Sequence, residues 1–397
     1  MARRAVCAGT PGVTGIAELA SAEAVAARIR DARATGTRLR IVGRGHWLDA
    51  GRPCHPTESL RLGELRGITE YEPGDFTLTA RAGTTLAEIA AATAREGQWL
   101  TLDPFGSADG SIGATIATSS AGPLASAFGT PRDHLLGCEV VSGVGEVVRA
   151  GGRVVKNVAG FDLARLMTGS WGTLGALTEL TVRLRAKPEI DRTLAVEVQR
   201  PSHEMAATVW RWLRASPFTP LAAELCSSAL ARTLDIGDGV ILLLRLGGNA
   251  QLVRSAEHAV AELGDAREVD AGVWDRLRVT EPVNAAVVRL GTVPANVGQL
   301  WTVASTAAQR AGGYAHATLE RGIVRCVVPV VAAEEENGRL RGIMGELQSD
   351  GSRIAERLPE SLWSDVPSSV ADQLSLGIRR AFDPDHLLNP GILGSFE

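Results

Sequence analysis

Apolar residues recur at two different spacings along the first half of this chain, and each spacing predicts an element. Val25 and Ile29 stand four apart behind Ser21 and ahead of Gly36, which predicts a helix capped at Ser21 and stopped at Gly36. Leu39, Ile41 and Val42 make a short strand that runs directly into Gly43, Arg44, Gly45 and His46. Residues 77–81 read as another strand. Thr85 and Glu88 have capping-box spacing and open a helix through Leu86, Ile89 and Ala92 that Gly97 ends. Over 103–129 the periodicity disappears into glycine, serine and threonine, yet Ile112, Ile116, Leu124 and Phe128 remain and charge is scarce. Such a stretch is too apolar for disorder, and long aperiodic loops in compact domains are usually functional, so an ordered loop is predicted. Leu180, Val182 and Leu184 then alternate with Thr181, Arg183 and Arg185 as a half-buried strand.

Beyond Lys187-Pro188 the pattern becomes strand–helix–strand. Strands are predicted at 194–198, 240–246, 286–290 and 323–330, with helices at 203–214, 251–263, 298–311 and 334–347. Two such units side by side point to ferredoxin-like halves. The end of the chain differs again: a helix around 372–382, then Asp383-Pro384 and Asn389-Pro390-Gly391, which is expected to return to the first domain. The expected fold class is α+β, with domains at 12–188, 189–370 and 371–397.

Composition narrows the classes. A chain of 397 residues, 45% apolar and 22% charged, can bury two cores. Its net charge of −4 lacks the electrostatic footprint of a nucleic-acid binder. No run approaches the ~20 apolar residues of a membrane span. Cys7, Cys54, Cys138, Cys226 and Cys326 lie far apart without a CxxC pair, which argues against a zinc or iron–sulfur site, and their odd number fits a reducing compartment. The start Met1-Ala2-Arg3-Arg4 is basic, but Gly9, Pro11, Gly12 and Gly15 interrupt any apolar core behind it, so no signal peptide is expected. The expected location is cytoplasmic.

Two glycine-rich segments carry candidate chemistry. At Gly43, Arg44, Gly45 and His46 the missing side chains let backbone N–H groups approach an anion. In the second, Gly106, Gly110, Gly113 and Gly122 are interleaved with Ser107, Ser111, Thr115, Thr118, Ser119 and Ser120, neutral donors suited to a buried pyrophosphate. Either segment alone also reads as an ordinary turn, and neither matches a Walker loop or a dinucleotide GxGxxG.

A third segment decides between these readings. The run from Gly151-Gly152-Arg153-Val154-Val155-Lys156-Asn157 to Gly169-Ser170-Trp171-Gly172-Thr173-Leu174-Gly175-Ala176-Leu177-Thr178-Glu179 closely resembles the FAD domain of the vanillyl-alcohol oxidase and p-cresol methylhydroxylase (PCMH-type) superfamily, and within it the FAD-binding subunit of bacterial glycolate oxidase. Residues 43–46, 111–118 and 129–133, and the Asn389-Pro390-Gly391 ending, follow in the family's order. The resemblance covers 12–188 and the tail, and the middle only loosely. It implies FAD, with Gly43, Arg44, Gly45 and His46 holding the pyrophosphate from one side. Ser111, Gly113, Thr115, Thr118 and Ser119 would face it from the other. Gly175 and Leu177 would contact the nucleotide through the main chain, and Asn389 would reach toward the isoalloxazine edge. Gly172 and Gly175 also read as a tight turn, and Lys156-Asn157 as a solvated one. For His46 the resemblance leaves both a hydrogen-bonding role and a covalent flavin link open. With no cysteine in 103–129, a second, cysteinyl link is excluded.

Oxidation of a small 2-hydroxy acid needs a cation for the carboxylate, a base for the hydroxyl proton and correct orientation. Arg289, His316 and Arg325 are the candidate catalytic residues, scattered over the middle domain, and each arginine reads more readily as a strand residue facing solvent. The family's histidine-rich metal motif is reduced here to His316 with Glu320 nearby, so no metal is expected. Three readings follow: an FAD-bearing glycolate oxidase-like subunit, with a second flavoprotein and an iron–sulfur subunit as partners and a location peripheral to the inner membrane face through them; a stand-alone 2-hydroxy-acid oxidase or dehydrogenase; or a non-catalytic flavin-binding assembly module.

Overall fold

The computed structural model describes residues 19–152, 162–198, 202–330, 334–347 and 350–394. Cys7, the basic start and Lys156-Asn157, with the rest of 153–161, lie outside these. Ser21 caps the first helix, Ala22–Thr35, by accepting the Ala24 N–H at 3.2 Å, and Gly36 closes it at φ 67°. The helix buries Val25, Ala26, Ile29 and Ala32 against strands β1 (Leu39–Val42) and β2 (Glu58–Arg61), which pair in parallel. The chain's end joins them as expected. Leu388 bridges Leu39 in parallel, with Leu39 N–H donating to the Leu387 carbonyl and Asn389 N–H to the Leu39 carbonyl, each at 2.8 Å.

Strands β3 (Ile68–Glu72), β4 (Thr77–Arg81), β5 (Gln98–Trp99), β6 (Leu135–Val141), β7 (Val147–Gly151), β8 (Ala176–Arg183) and β9 (Arg185–Ala186) follow. All but β5 and β9, which pair with each other, form an antiparallel sheet in the order β3-β4-β8-β6-β7. Thr79 faces Thr181 across β4 and β8 with hydroxyls 2.9 Å apart. The Thr85–Glu88 capping box is present, but its helix, Leu86–Ala94, stops short of Gly97, which instead turns the chain into β5. The 103–129 stretch is not loop throughout. It contains the helices Ile112–Thr118 and Ala125–Phe128. The first is started by tertiary pairing that periodicity cannot announce: Ile112 and Gly113 donate to the Thr84 and Ala82 carbonyls at 2.9 Å, and Ala114 to the Ser111 hydroxyl at 3.3 Å. The rest hangs from the Asp103 carboxylate, which accepts the Leu124 N–H at 2.9 Å.

The middle of the chain forms one antiparallel sheet from β10 (Ile190–Glu197), β11 (Ala222–Cys226), β12 (Ile241–Gly248), β13 (Ala266–Glu268), β14 (Ala285–Gly291), β15 (Tyr314–Thr318), β16 (Ile323–Pro329) and β17 (Arg353–Arg357). The order β13-β10-β12-β11-β15-β16-β14-β17 is two ferredoxin-like halves joined where β11 meets β15. The hydrophobic pattern had shown only β10, β12, β14 and β16. Each half adds a short or alanine-rich pair whose alternation is weak. One sheet face packs against the helices Ser202–Ala215, Ala250–Val260, Val297–Arg310 and Glu334–Glu346. Apolar residues of the other face meet Leu124, Trp99 and Phe128 of the preceding part. Period-two alternation therefore sends Ala315, Ala317, Val324 and Cys326 toward the helices and the residues between them toward the flavin-type part.

Candidate active site

A cleft of about 710 Å³ opens where β1 ends. Its walls come from 40–48, the helix Ile112–Thr118, the turn at Trp171 and Gly172, and Asn389 with Ile392. Close approach explains the glycines. A Cβ on Gly43 would stand 2.6 Å from the Ser111 hydroxyl oxygen, and Gly45 holds φ 82°. The backbone N–H groups of Gly43, Arg44 and Gly45 donate to no acceptor among the described residues. Gly43 is half-buried and Arg44 and Gly45 are exposed, so these three donors stand open at the cleft, and with the Arg44 guanidinium they suit an anion arriving from outside the chain. The diphosphate of FAD has that chemistry, and these residues would hold it.

Asn389 fastens the cleft. Its Oδ1 accepts the Ile41 N–H at 2.7 Å and its Nδ2 donates to the Trp171 carbonyl at 2.5 Å. Trp171 and Gly172 are consecutive left-handed residues, at φ 53° and 70°. A bulky residue is rarely found there, and such strain persists only where neighbours impose it. A Cβ on Gly172 would meet the Asn389 amide nitrogen at 2.7 Å. The sequence-predicted flavin residues Gly43, Arg44, Gly45, His46, Ser111, Gly113, Thr118, Gly175, Leu177 and Asn389 all line this cleft. Thr115 does not, because it is buried and its hydroxyl is spent on the Ser111 carbonyl at 3.1 Å. Ser119 lines the neighbouring cavity instead.

That cavity, of about 1260 Å³, shares Trp47, Thr118 and Trp171 with the cleft and reaches the open face of the large sheet. The expectation that Arg289, His316 and Arg325 are scattered is overturned here. All three line the cavity, and they are direct cross-strand neighbours: His316 pairs with Arg325 across β15 and β16, and Arg325 with Arg289 across β16 and β14. Nor does Arg325 face solvent, since it is only 3% exposed.

The row is arranged by carboxylates that the sequence did not single out. His316 donates from Nδ1 to the fully buried Glu224 at 2.5 Å, and Glu224 also accepts the Thr318 hydroxyl at 2.9 Å. Donating from Nδ1 fixes the ring's tautomer and leaves Nε2 as the basic nitrogen. Arg325 binds Glu281 at 2.5 Å and Glu356 at 2.7 Å, while Arg289 binds Glu356 at 2.9 Å. Burial works against the Arg325 charge, but Glu281 and Glu356 more than offset it and raise its pKa. Burial likewise opposes the Glu356 charge, which Arg325 and Arg289 nevertheless hold below the ordinary carboxylate range. Phe105 completes the wall, 4.2 Å beneath the Arg325 guanidinium and 5.4 Å from the His316 ring. Among the described residues no group of three metal-ligating side chains is assembled.

Comparison with known proteins agrees with this geometry. Residues 13–151 match the FAD binding domain family. The chain therefore carries an FAD-binding domain, with FAD as its cofactor. It is homologous to glycolate oxidase subunit GlcE of Escherichia coli, 34% identical over 57% of this chain and 64% of that protein. It also matches glycolate oxidase subunit GlcD of Bacillus subtilis, 37% identical over 40% of this chain and 34% of that one, so both matches span under two thirds of the relative. D-2-hydroxyglutarate dehydrogenase of Xanthomonas citri is 28% identical over 97% of this chain and 90% of its own. The fold is shared with substrate-bound p-cresol methylhydroxylase, at a TM-score of 0.72 and 16% identity over 94% of this chain and 87% of that one. No helix among the described residues is long and apolar enough to cross a membrane.

Proposed function

We propose that this protein oxidises a small 2-hydroxy acid to the 2-oxo acid in the cavity beside its flavin cleft. The observation that carries the proposal is the Glu224–His316 pair, set in an arginine-rich cavity that opens onto the cleft. Oxidation removes a hydride from Cα and a proton from the hydroxyl. Bound FAD supplies the acceptor for the hydride. His316 takes the hydroxyl proton at Nε2, and Glu224 stabilises the imidazolium so formed, acting as a positioning residue. The arginines favour an anionic substrate, and Phe105, Trp47 and Trp171 restrict water.

The chain is further proposed to work as a subunit, passing electrons to a second flavoprotein and an iron–sulfur protein. The two glycolate oxidase subunit relatives support this, as does the wide separation of its cysteines, which leaves no cluster for an electron relay. A domain division at 188 and 370 is proposed with it.

The test is anaerobic mixing of the flavin-loaded protein with glycolate and D-lactate, following flavin bleaching. His316→Gln should slow bleaching by about 10²- to 10⁴-fold, the usual worth of a general base. Glu224→Gln should slow it less and shift its pH profile. Unchanged bleaching in His316→Gln would remove that residue from the chemistry. Turnover with artificial dyes as fast alone as with co-purified partners would favour a stand-alone dehydrogenase.

A further inference from the structure

Every charged group lining the cavity is matched within the protein, with one exception. Glu224 is bound to His316 and Thr318, Glu356 to Arg325 and Arg289, and Arg325 also to Glu281. The exception is Arg321. It ends the single helical turn Leu319–Arg321 between β15 and β16, where Gly322 reverses the chain at φ 63°. Its side chain lines the same cavity as His316 and makes no hydrogen bond or ion pair among the described residues. The residue is half-buried. Burial, reinforced by the nearby Arg289 charge, depresses its affinity for its proton. A guanidinium held partly out of water without an anion is costly, and the cost is relieved when a ligand supplies one.

We infer that Arg321 is the anchor for the substrate carboxylate, and that the cavity is built for one carboxylate and no more. This rests on the hydroxy-acid reading above and assigns within it the role for which Arg289 and Arg325 were the sequence candidates. Those two already serve carboxylates, Arg289 giving Nε to Glu356 and Arg325 giving Nε to Glu281 and Nη1 to Glu356, so their charges are offset within the protein. Arg321 presents an uncommitted planar fork that matches a carboxylate in two parallel hydrogen bonds. A second carboxylate on the same small molecule would face Glu224 and Glu356, with no cation left to receive it. The anchor lies three residues past the end of β15, on whose strand His316 sits, so a short hydroxy acid can meet both.

Binding is measured by isothermal titration on the flavin-loaded protein with three probes: glycolate, its neutral amide glycolamide, and the dianion hydroxymalonate. The wild-type protein should bind glycolate about 10-fold or more tighter than either of the others. Arg321→Gln should weaken glycolate by about 10- to 100-fold, the worth of a charged hydrogen-bonded pair, and leave glycolamide unchanged. Arg321→Lys should recover part of the loss. Flavin content and melting temperature should be the same in all three proteins, a result that separates an anchor from a structural residue. Glycolate binding within twofold of wild type in Arg321→Gln overturns the anchor and leaves the hydroxy-acid reading standing. Hydroxymalonate bound as tightly as glycolate overturns the single-carboxylate selectivity. A wild-type protein that binds none of the three overturns both the inference and the reading it rests on.

Discussion

Replacing Asn389 with alanine should open the flavin cleft from behind, and the size of the effect follows from what the side chain holds. Its amide joins the Ile41 N–H on one wall to the Trp171 carbonyl on the other, and the residue is 4% exposed. Alanine leaves both groups without a partner. An orphaned buried group costs about 1–3 kcal/mol, and because both sites are only part-buried the lower half of that range applies, about 2–4 kcal/mol for the two. Asn389 also sits at φ 43°, a left-handed conformation that asparagine tolerates and alanine does not, which adds about 1 kcal/mol. The expected loss is therefore about 3–5 kcal/mol. Urea unfolding of flavin-stripped protein, followed by circular dichroism, measures it directly. Asn389→Asp keeps the acceptor for Ile41 but sets a carboxylate against the Trp171 carbonyl, so it should fall between wild type and alanine. A loss below about 0.5 kcal/mol in stripped protein would refute the reasoning. A loss seen only with flavin bound would make Asn389 a flavin contact, as the resemblance implied, and not a clamp between walls.

Two further outcomes are expected. Gly113→Asp should abolish flavin binding, since its Cβ would lie 2.7 Å from Ala82 Cβ and 2.8 Å from the Ala82 carbonyl, displacing the helix that forms one wall; a full flavin complement in the purified variant would place the cofactor elsewhere. Asp103 is driven to a pKa of about 7 by burial, against the pull of the Leu124 N–H and Arg278. Its folded pKa is thus raised, so the protonated form's advantage is complete below about pH 4 and is lost as the pH rises toward 7. At about 1.4 kcal/mol for each tenfold in proton affinity, the loss is on the order of 4 kcal/mol. Asp103→Asn should flatten that part of the stability–pH curve, and an unchanged slope would show that Asp103 does not control it.

The flavin cleft was legible because its signal is local. Gly43 and Gly45 follow a short apolar strand directly, and Asn389-Pro390-Gly391 is compact enough to be seen without knowing what it touches. The cavity was only half legible. Arg289, His316 and Arg325 could be picked out, but their adjacency depends on the register of β14, β15 and β16, and Tyr314-Ala315-His316-Ala317-Thr318, with two alanines and no branched aliphatic residue, does not read as a strand. Glu224, Glu281, Glu356 and Arg321 were missed. For Glu224 a signal was present: a carboxylate in the middle of Ala222-Ala223-Glu224-Leu225-Cys226 has to be buried, and a buried carboxylate needs a partner. Arg321 carries no such signal, because its place in the cavity comes from the reversal at Gly322.

The carboxylates that were missed explain why two arginines can stand side by side on adjacent strands. Directly opposed like charges destabilise a sheet, and here Glu356 bridges the pair while Glu281 takes the other side of Arg325. The chain of charges continues: Glu281 also binds Arg357 at 2.5 Å, and Arg357 reaches Asp49 at 3.2 Å and lies over the Trp47 ring. Asp49 and Trp47 follow the glycine loop that would hold the diphosphate. One alternating ladder, Arg289–Glu356–Arg325–Glu281–Arg357–Asp49, therefore runs from the cavity to the glycine loop across the contact between the two parts of the molecule. Buried ion pairs add little net stability, because desolvation offsets their attraction, but breaking one partner is expensive. The ladder's effect is consequently one of arrangement. It fixes the large sheet's open face against the glycine loop at a single registration, which keeps His316 and Arg321 facing the cavity while each stays available to a ligand.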